Sequence, residues 1–552
     1  MKILRNNYLL IILLGISLIA IFPFFHSGFF SFHDDTQVQR VFEMRVALLD
    51  GSFPVRWVRD LGYGLGYPIF NFYAPLPYYI GAFLSLVGLD ALLATKVMIS
   101  MAVVGSAFSM YLLAKEFWGK LGGVLSAVMY VFAPYLALNI YVRGAIGEVY
   151  AFFFTPLIFF SLWKYHKSRN FIYIVLGALS FGGLIISHNL SAMMLSPFIF
   201  IITILLFIYK RNYLIFAIPF LGILLSAFYS VPALVEMKYT NVLSIIGGGS
   251  DFRDHFICPF QLWSSPWMFG GSAPGCLDGM SFRLGKLHFV LGFIPIFFAA
   301  LYYKKDKLKS IVVFLTTLFL LLSIFLTLEW SRFIWEFLSF MEFFQFPWRF
   351  LLAASLYSSF LSGAVIYYFL KFKFIKNNKL QYLIFTIILI SPVILYSKLF
   401  TPQEFLPRTA DYYIDEKYLT WDTSRISDEY MPPNFKKPET AEEIIRDKIS
   451  GENIEVKEFT QNTNMLYAVI SSTTGTDINV HIPYFPAWRF YVNNKISSFK
   501  ITDSGVLLTI PKGESIIEAR FEETNVEKTA NLLTLSGVLL LFAGIIYYKR
   551  KK

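Results

Sequence analysis

Three groups of charged residues in this sequence have the types and positions needed for proton transfer and for phosphate binding. Asp34 and Asp35 directly follow the first apolar segment, and carboxylates there suit a general base. Arg143 and Glu148 flank a glycine-containing turn at the end of another apolar segment, and Arg349 begins a third. Because a guanidinium binds phosphate oxygens through two parallel hydrogen bonds, these residues together indicate acid–base chemistry on a phosphorylated substrate.

Each of these groups also has a structural interpretation. Asp34 and Asp35 precede a helical pattern, so they can serve as its N-cap and as a first-turn carboxylate. Arg143 and Glu148 can form a structural ion pair, and Arg349 can extend its side chain to lipid headgroups. The sequence leaves both interpretations open.

Two more polar residues lie near the ends of apolar segments. His188 occupies a very short turn between two of them, and a lone histidine in such a place is most often structural. Lys96 lies near the start of the second predicted span, where its ammonium group is a weaker candidate for binding a phosphate.

The connection after the first apolar segment, residues 26–90, is dense in glycine, proline and aromatic residues. Its first part, residues 37–50, has apolar residues on one helical face, which predicts an amphipathic helix at the membrane interface. The remainder predicts a turn-rich loop whose aromatic and polar groups suit a sugar, although aromatic residues at an interface also form simple belts. The candidate substrate-binding residues are Arg56, Trp57, Tyr67, Asn71, Tyr73 and His188.

Composition places the whole chain in the membrane class. It has 552 residues, of which 56% are hydrophobic and 15% are charged, whereas a soluble domain has about 25% charged residues. The net charge of +11 comes from short basic runs between apolar stretches. Since no basic patch with interleaved aromatic residues is present, no nucleic-acid partner is expected.

A helix needs roughly 20 apolar residues to cross a bilayer. The predicted spans lie near residues 8–25, 91–114, 120–135, 149–163, 171–187, 190–209, 213–234, 287–303, 310–328, 348–370, 380–397 and 530–548. Residues 76–89 are apolar but short, and they predict a re-entrant or interfacial helix.

Basic residues test this arrangement, because cytoplasmic connections of membrane proteins are enriched in Lys and Arg. The connections predicted to be cytoplasmic contain Lys115 and Lys120; Lys164, Lys167 and Arg169; Lys210 and Arg211; Lys304, Lys305 and Lys307; Lys371, Lys373, Lys376 and Lys379; and Lys549 to Lys552. Both termini are therefore predicted to be cytoplasmic in a plasma-membrane protein, with the polar residues of the other connections outside.

The expected fold is a mainly α polytopic membrane protein of about twelve spans with a small C-terminal extracytoplasmic β-sandwich. The predicted units are a membrane domain 1–397, an outer domain 398–529 that is β-rich from about 460, and a final span with a basic tail, 530–552. Alternating apolar residues and turn signals in the outer domain indicate the strands. Cys258 and Cys276 share one predicted outer segment, where a disulfide and two free thiols both remain open.

The motifs of the first loop also resemble a known family. The quoted residues are His33-Asp34-Asp35, Phe53-Pro-Val-Arg-Trp57, Gly64-Leu-Gly-Tyr-Pro68, Phe70-Asn-Phe-Tyr73, Pro75-Leu-Pro-Tyr-Tyr79, and Tyr141-Val-Arg-Gly144 with Glu148. They resemble the multi-span proteins called 6-pyruvoyl-tetrahydropterin synthase-related, which are similar to YfhO-like proteins and to the GT-C glycosyltransferase superfamily. The pterin name does not fit the chemistry, because the sequence has no matching His cluster.

The resemblance implies a reaction. GT-C enzymes place an acidic residue in the first outer loop, where Asp34 and Asp35 stand, so Asp34 would accept the proton of the attacking hydroxyl and the anomeric centre would invert. Glu148 is a further catalytic candidate, which would assist the acceptor or a metal. Arg143, Arg349 or Lys96 would hold the phosphate of a polyprenyl-phosphate sugar. A divalent cation, Mg or Mn, held by Asp35 and Glu148, remains open.

The expected acceptor is a cell-envelope glycan, lipid or protein at the outer surface. Two other classes of function are alternatives: a transporter or flippase of a lipid-linked component, and a non-catalytic scaffold whose β-domain binds an envelope polymer. Transport is disfavoured because the centres of the predicted spans are almost free of charge, whereas ion-coupled transporters bury ionisable groups near the midplane.

Overall fold

The computed structural model describes residues 2–242, 250–371 and 377–550 of the chain. Lys373 and Lys376 of the predicted cytoplasmic connection, and Lys551 and Lys552 of the predicted tail, lie outside the described residues.

Helices dominate the described chain before residue 400, and a few more follow in the C-terminal part. In chain order they are α1 (Lys2–Ala20), α2 (Gln37–Leu49), α3 (Ile69–Phe72), α4 (Leu76–Leu86), α5 (Ala91–Val131), α6 (Pro134–Leu138), α7 (Ile146–Ser168), α8 (Ile172–Ile185), α9 (Asn189–Lys210), α10 (Ala217–Val235), α11 (Pro259–Trp263), α12 (Lys286–Leu301), α13 (Lys307–Phe325), α14 (Arg332–Phe337), α15 (Leu351–Lys371), α16 (Asn378–Tyr396), α17 (Ala410–Ile414), α18 (Ser424–Ile426) and α19 (Asn525–Arg550).

Each predicted span coincides with one of these helices. Among the described residues, 8 helical stretches are long and apolar enough to cross a membrane, and α4, α8, α12 and part of α1 are shorter apolar helices. The stretch α5 contains both the second and the third predicted span, since Gly119 breaks it with a positive φ of 74°. The short helix α4 has 11 residues, fewer than the roughly 20 needed to cross, as expected for a re-entrant or interfacial element.

Helix α15 lies at the centre of the bundle. Nearly all of its residues are buried, and it packs closely against α5. A Cβ atom on Gly122 of α5 would lie 2.7 Å from the carbonyl oxygen of Gly363 in α15, so only glycine permits this approach. Small residues let membrane helices pack backbone to backbone, and this contact fixes the helix that carries Arg349 at its start.

The connections predicted to be outside meet at one end of the bundle. The His33 backbone N–H donates to the carbonyl of Val142 at 2.9 Å, and Ile257 forms a β-bridge with Leu328. At the other end, Lys164 pairs with Glu116 at 3.2 Å. The structure therefore sorts the connections into the two groups that the basic residues predict, while the assignment of the first end to the outside remains a prediction.

The C-terminal domain is a β-sandwich, as predicted. Apart from the short pair β1 (Phe29–Phe30) and β2 (Phe405–Leu406), the strands are β3 (Ile449–Gly451), β4 (Ile454–Gln461), β5 (Met465–Ser472), β6 (Thr476–Val480), β7 (Trp488–Val492), β8 (Lys495–Ile496), β9 (Lys500–Ile501), β10 (Val506–Ile510) and β11 (Gly513–Phe521). They form the antiparallel sheets β3-β6-β10-β9 and β4-β5-β11-β7-β8. Asn493 and Asn494, both with positive φ, turn the chain between β7 and β8.

The prediction of an amphipathic helix at the membrane interface is wrong about the surroundings of its polar face. Helix α2 forms, but its polar face is covered by protein: Gln37, Gln39, Arg40 and Glu43 are at most 3% exposed. The outer segment that follows α16 covers this face, and it begins by pairing β2 with β1. The sequence pattern of α2 could not show this, because the contacts come from other parts of the chain: Gln37 contacts Tyr78 and Gly144, and Arg40 donates to Ser427 of the outer segment.

Cys258 and Cys276 form a disulfide, with their Cα atoms 5.7 Å apart. Disulfides persist in oxidising compartments and are rare in the cytosol. The bond therefore agrees with the prediction that this segment lies outside.

We expect Cys258 and Cys276 to resist a membrane-impermeant maleimide in intact cells until a reductant is added, because they are bonded to each other on the outer side. Mass-shift labelling of the purified chain measures this, with the Cys258→Ala/Cys276→Ala variant as the control. Labelling without a reductant would contradict the disulfide, and protection after a membrane-impermeant reductant would contradict the outer location.

Candidate functional site

A buried ion cluster occupies the end of the bundle where the predicted outer connections meet. Its first arginine, Arg143, ends the π-helical turn Asn139–Arg143, and Gly144 then takes a left-handed conformation with φ of 69°. A Cβ on Gly144 would clash with the ring of Phe32, so glycine is required there. The chain reverses at this glycine and enters α7, which carries Glu148 in its first turn.

Glu148 is the centre of the cluster. Its side chain is 1% exposed and forms an ion pair with Arg143 at 2.8 Å, and its Oε1 lies 3.6 Å from Nε of Arg349. The hydroxyl of Tyr135 donates to Oε2 at 2.6 Å, and the Asn139 amide donates to the same oxygen at 3.3 Å. A buried carboxylate is stable only when it is paired and hydrogen-bonded in this way.

The second arginine reaches the cluster from α15. A 3₁₀ turn over Pro347–Phe350 precedes the helix, and the Arg349 guanidinium donates to the Phe344 carbonyl at 2.9 Å. Trp348 lies beneath the other arginine, with the Arg143 guanidinium carbon 4.5 Å from its ring centre. Two guanidinium groups thus share the Glu148 carboxylate, which balances one of their two positive charges.

Asp34 is tied to this cluster through the backbone. Its N–H donates to the Arg143 carbonyl at 3.0 Å, and the Gln37 amide bridges the carbonyls of Asp34 and Gly144 at 3.2 and 3.0 Å. Asp34 is half-buried, and its charge acts on both Arg143 and Arg349. The capping interpretation fails, because Thr36 is the N-cap of α2 and no side chain caps the helix.

Asp35 faces a different neighbourhood. It accepts a hydrogen bond from the Tyr418 hydroxyl at 3.0 Å and lies 3.5 Å from the Arg408 guanidinium. Burial raises the pKa of Asp35 to about 6, although the Tyr418 hydrogen bond and the Arg408 charge oppose the shift. These contacts hold the outer segment against the first loop, and the catalytic role of Asp35 stays a prediction.

The predicted cation at Asp35 and Glu148 remains without structural support. Asp35 contacts Arg408 and Glu148 contacts Arg143, and each carboxylate also accepts a hydrogen bond from a tyrosine hydroxyl. Within residues 2–242, 250–371 and 377–550, no group of three or more His, Cys, Asp or Glu side chains is placed to hold a metal ion.

His188 packs directly against the start of α7. Its ring lies over Gly147, where a Cβ would come within 2.8 Å of the ring carbon Cδ2, and it interacts electrostatically with Glu148. Its Nδ1 accepts from the Ser191 N–H at 3.1 Å, so the ring caps α9. The structure thus brings this predicted residue to the cluster and also gives it a structural task.

Four of the predicted sugar-binding residues make structural contacts. Arg56 and Asn71 are buried and bonded to each other at 2.8 Å. Trp57 packs edge-on against Trp488 of the β-sandwich with ring centres 5.5 Å apart, and the buried Tyr67 hydroxyl accepts from the Tyr430 N–H at 3.1 Å. Trp57 and Tyr67 thus fasten the first loop to the later part of the chain, and the sugar-binding role of the four residues stays a prediction.

The structure places the last two predicted site residues, Tyr73 and Lys96, in different surroundings. Tyr73 is half-buried beneath the Arg40 guanidinium at 4.1 Å and is within electrostatic reach of Asp34, so it lies at the edge of the site. Lys96 donates to the His26 carbonyl at 2.8 Å, and no described contact joins it to Arg143 or Arg349. Its predicted phosphate-binding role is not supported.

Sequence reasoning missed Tyr135, Asn139 and Trp348, which contact the charged groups of the cluster directly. The sequence contained one signal that could have identified Asn139. Asn139 lies four residues before Arg143 in an otherwise apolar helical stretch, and that spacing places the two side chains on one face.

We expect the Asp35→Asn substitution to stabilise the protein increasingly as the pH rises from about 4 to about 7. With a pKa raised from 3.8 to about 6, folded Asp35 binds a proton that the unfolded chain releases. Its contribution to the free energy of unfolding is therefore present below pH 3.8 and is lost as the pH rises through 6, by about 2–3 kcal/mol in total.

Thermal unfolding of both proteins in detergent across this pH range measures the difference, with the exposed Asp411→Asn as the matched control. A difference between wild type and Asp35→Asn that does not change with pH would contradict the buried environment of Asp35.

Comparisons with known proteins agree with a membrane assignment. An uncharacterized protein of Lactococcus lactis subsp. cremoris (strain MG1363) is 26% identical over 321 residues, which cover 55% of this chain and 51% of the relative. The chain thus spans about half the length of the curated relative that it matches.

Among solved structures, the Archaeoglobus fulgidus oligosaccharyltransferase in its apo form aligns with a TM-score of 0.44 at 14% identity, over 79% of this chain and 62% of that one. The family model described as "6-pyruvoyl-tetrahydropterin synthase related domain; membrane protein" matches residues 70–400, more than half of the chain. The chain therefore belongs to the 6-pyruvoyl-tetrahydropterin synthase-related membrane protein family.

Proposed function

We propose that this protein is a membrane glycosyltransferase that transfers a sugar from a polyprenyl-phosphate donor to a cell-envelope acceptor on the outer face of the membrane. The observation that carries this proposal is the position of Asp34. A partly exposed carboxylate is held by a backbone hydrogen bond of 3.0 Å to Arg143, beside a buried pair of arginines that share the Glu148 carboxylate.

The charge of the cluster favours a lipid-linked phosphodiester as the donor. Arg143 and Arg349 together carry two positive charges, Glu148 compensates one, and the single negative charge of a sugar–phosphate–lipid diester would share the other with Asp34. Both arginines lie at the ends of apolar helices, so a phosphate between them would have its lipid chain beside the membrane-spanning segments. Guanidinium groups also stabilise the charge that the leaving phosphate gains.

Asp34 is suited to be the general base. The acceptor hydroxyl oxygen attacks the anomeric carbon, the bond from that carbon to the phosphate oxygen breaks, and the polyprenyl phosphate leaves with the electron pair. The hydroxyl proton passes to Asp34. Attack from the face opposite the phosphate inverts the anomeric centre, and the two arginines need only hold the leaving group.

The acceptor approaches from the solvent side of Asp34. His33, the preceding residue, is exposed, and its ring contacts the Phe269 carbonyl at 2.9 Å, so the disulfide-bonded segment lies next to Asp34. A glycan, a lipid or a protein bearing a hydroxyl group fits this arrangement. Membrane lipid and the polyprenyl donor are the other partners that the proposal requires.

We expect Asp34→Asn to lower sugar transfer by about 10²–10⁴-fold, the usual contribution of a general base. The measurement is product formation by purified protein with a panel of polyprenyl-phosphate sugars. Asp411→Asn, which changes an exposed carboxylate of the outer domain, is the matched control and should retain activity. Unchanged transfer in Asp34→Asn would contradict the catalytic assignment.

We expect Arg349→Gln to raise KM for the donor by about tenfold or more, because a charged hydrogen bond to phosphate contributes about 1.5–3 kcal/mol. Arg349→Lys should recover part of this loss by restoring the charge without the planar geometry. The exposed Arg425→Gln serves as the control. A change in the acceptor KM alone would contradict donor binding by Arg349.

A further inference from the structure

The segment between α13 and α15 carries large aromatic side chains that no part of the described chain covers. Trp330 is 67% exposed, Phe333 64% and Phe337 84%. They belong to α14 and to the 3₁₀ turn Glu329–Ser331 that leads into it. Exposed aromatic area of this kind marks a contact with another molecule or with lipid.

The spacing of these residues divides the segment into three faces. Successive helical residues are about 100° apart, so residues 330, 333 and 337 share one face, and residues 329, 332 and 336 share the next. The second face is charged: Arg332 lies 3.1 Å from Glu329 and 2.8 Å from Glu336. The aromatic face is thus bordered by a row of charges.

The third face holds the segment to the protein. Trp335 is fully buried, its ring stacks on Phe252 with centres 5.3 Å apart, and its indole N–H donates to the Leu326 carbonyl at 3.2 Å. Since these contacts fix the rotation of α14, the aromatic face cannot turn inward. Its exposure is a property of the fold.

The place of the segment in the chain indicates what covers the aromatic face. Helix α13 ends at Phe325, and the next long apolar stretch begins at Pro347, so the segment lies at the membrane boundary between two spans. The ring of Phe333 is 6.5 Å from that of Phe325, which joins the aromatic face to the surface of α13, where Leu318 and Leu321 are also exposed. The apolar surface therefore runs continuously from the span onto α14.

We propose that residues 329–340 form a lipid anchor, which inserts Trp330, Phe333 and Phe337 into the outer leaflet and keeps Arg332 and its acidic partners at the headgroups. An interfacial helix of this type lies with its apolar face about 5–10 Å into the boundary between headgroups and acyl chains. The anchor does not depend on the proposed reaction. It does lie next to the site, because Arg349 donates to the carbonyl of Phe344, just beyond the anchor.

Spin labelling in lipid vesicles tests the anchor. The chain has only the two disulfide-bonded cysteines, so Phe333→Cys or Phe337→Cys supplies a unique site for a nitroxide on an exposed position. Leu318→Cys in α13 and Lys457→Cys on the β-sandwich are the references for lipid and for water. Collision rates with oxygen and with a neutral nickel chelate are measured in vesicles of phosphatidylcholine and phosphatidylglycerol.

We expect the labels at Phe333→Cys and Phe337→Cys to collide more often with oxygen than with the nickel chelate. Their depth should lie between those of the lipid and water references. A label at Glu329→Cys should be more accessible to the chelate than the labels on the aromatic face. Accessibility to nickel equal to that of Lys457→Cys would overturn the anchor. So would shielding from both reagents, which would mean that protein covers the face.

Discussion

The arrangement of this protein depends on keeping three charged side chains buried together at one end of a membrane bundle. Removing one partner of a buried ion pair costs about 3–5 kcal/mol, because the other charge is left uncompensated. Arg143, Glu148 and Arg349 come from a π-helical turn, the first turn of α7 and the start of α15. Their mutual need for compensation therefore fixes the ends of helices that are distant in sequence.

A second polar network gives the site its rigid surroundings. Arg56 lies 3.5 Å from Glu527 of the final span, and Asn71 donates to Glu236 at the end of α10 at 2.8 Å. These buried contacts join the first loop to α10 and α19, which pack against each other. Since the loop cannot shift independently, Asp34 is held at the edge of the arginine cluster with part of its carboxylate open to solvent.

The sequence predicted the helices and the β-sandwich, because apolar length, basic connections and strand alternation are local signals. It also singled out Arg143, Glu148 and Arg349 as candidates, but not the uncharged residues around them. It did not predict which polar residues of the first loop are buried. Arg56, Trp57 and Asn71 have the composition of a sugar pocket, yet their partners, Glu527, Trp488 and Glu236, lie more than 160 residues away. Such pairings depend on the tertiary fold. Asp35 shows the same limit, since its neighbours Arg408 and Tyr418 belong to the outer domain.

In the proposed reaction, Arg143 and Arg349 hold a lipid phosphate beside Asp34, and a sugar is transferred from that phosphate. The most direct measurement is a transfer reaction with purified protein in vesicles, followed by mass spectrometry of the lipid products and by NMR of the new glycosidic bond. We expect free polyprenyl phosphate to form in an amount equal to that of the glycosylated acceptor. The anomeric configuration of the new glycosidic bond should be inverted relative to the donor. A donor lipid that stays intact while it crosses the bilayer would contradict the account and would identify a flippase.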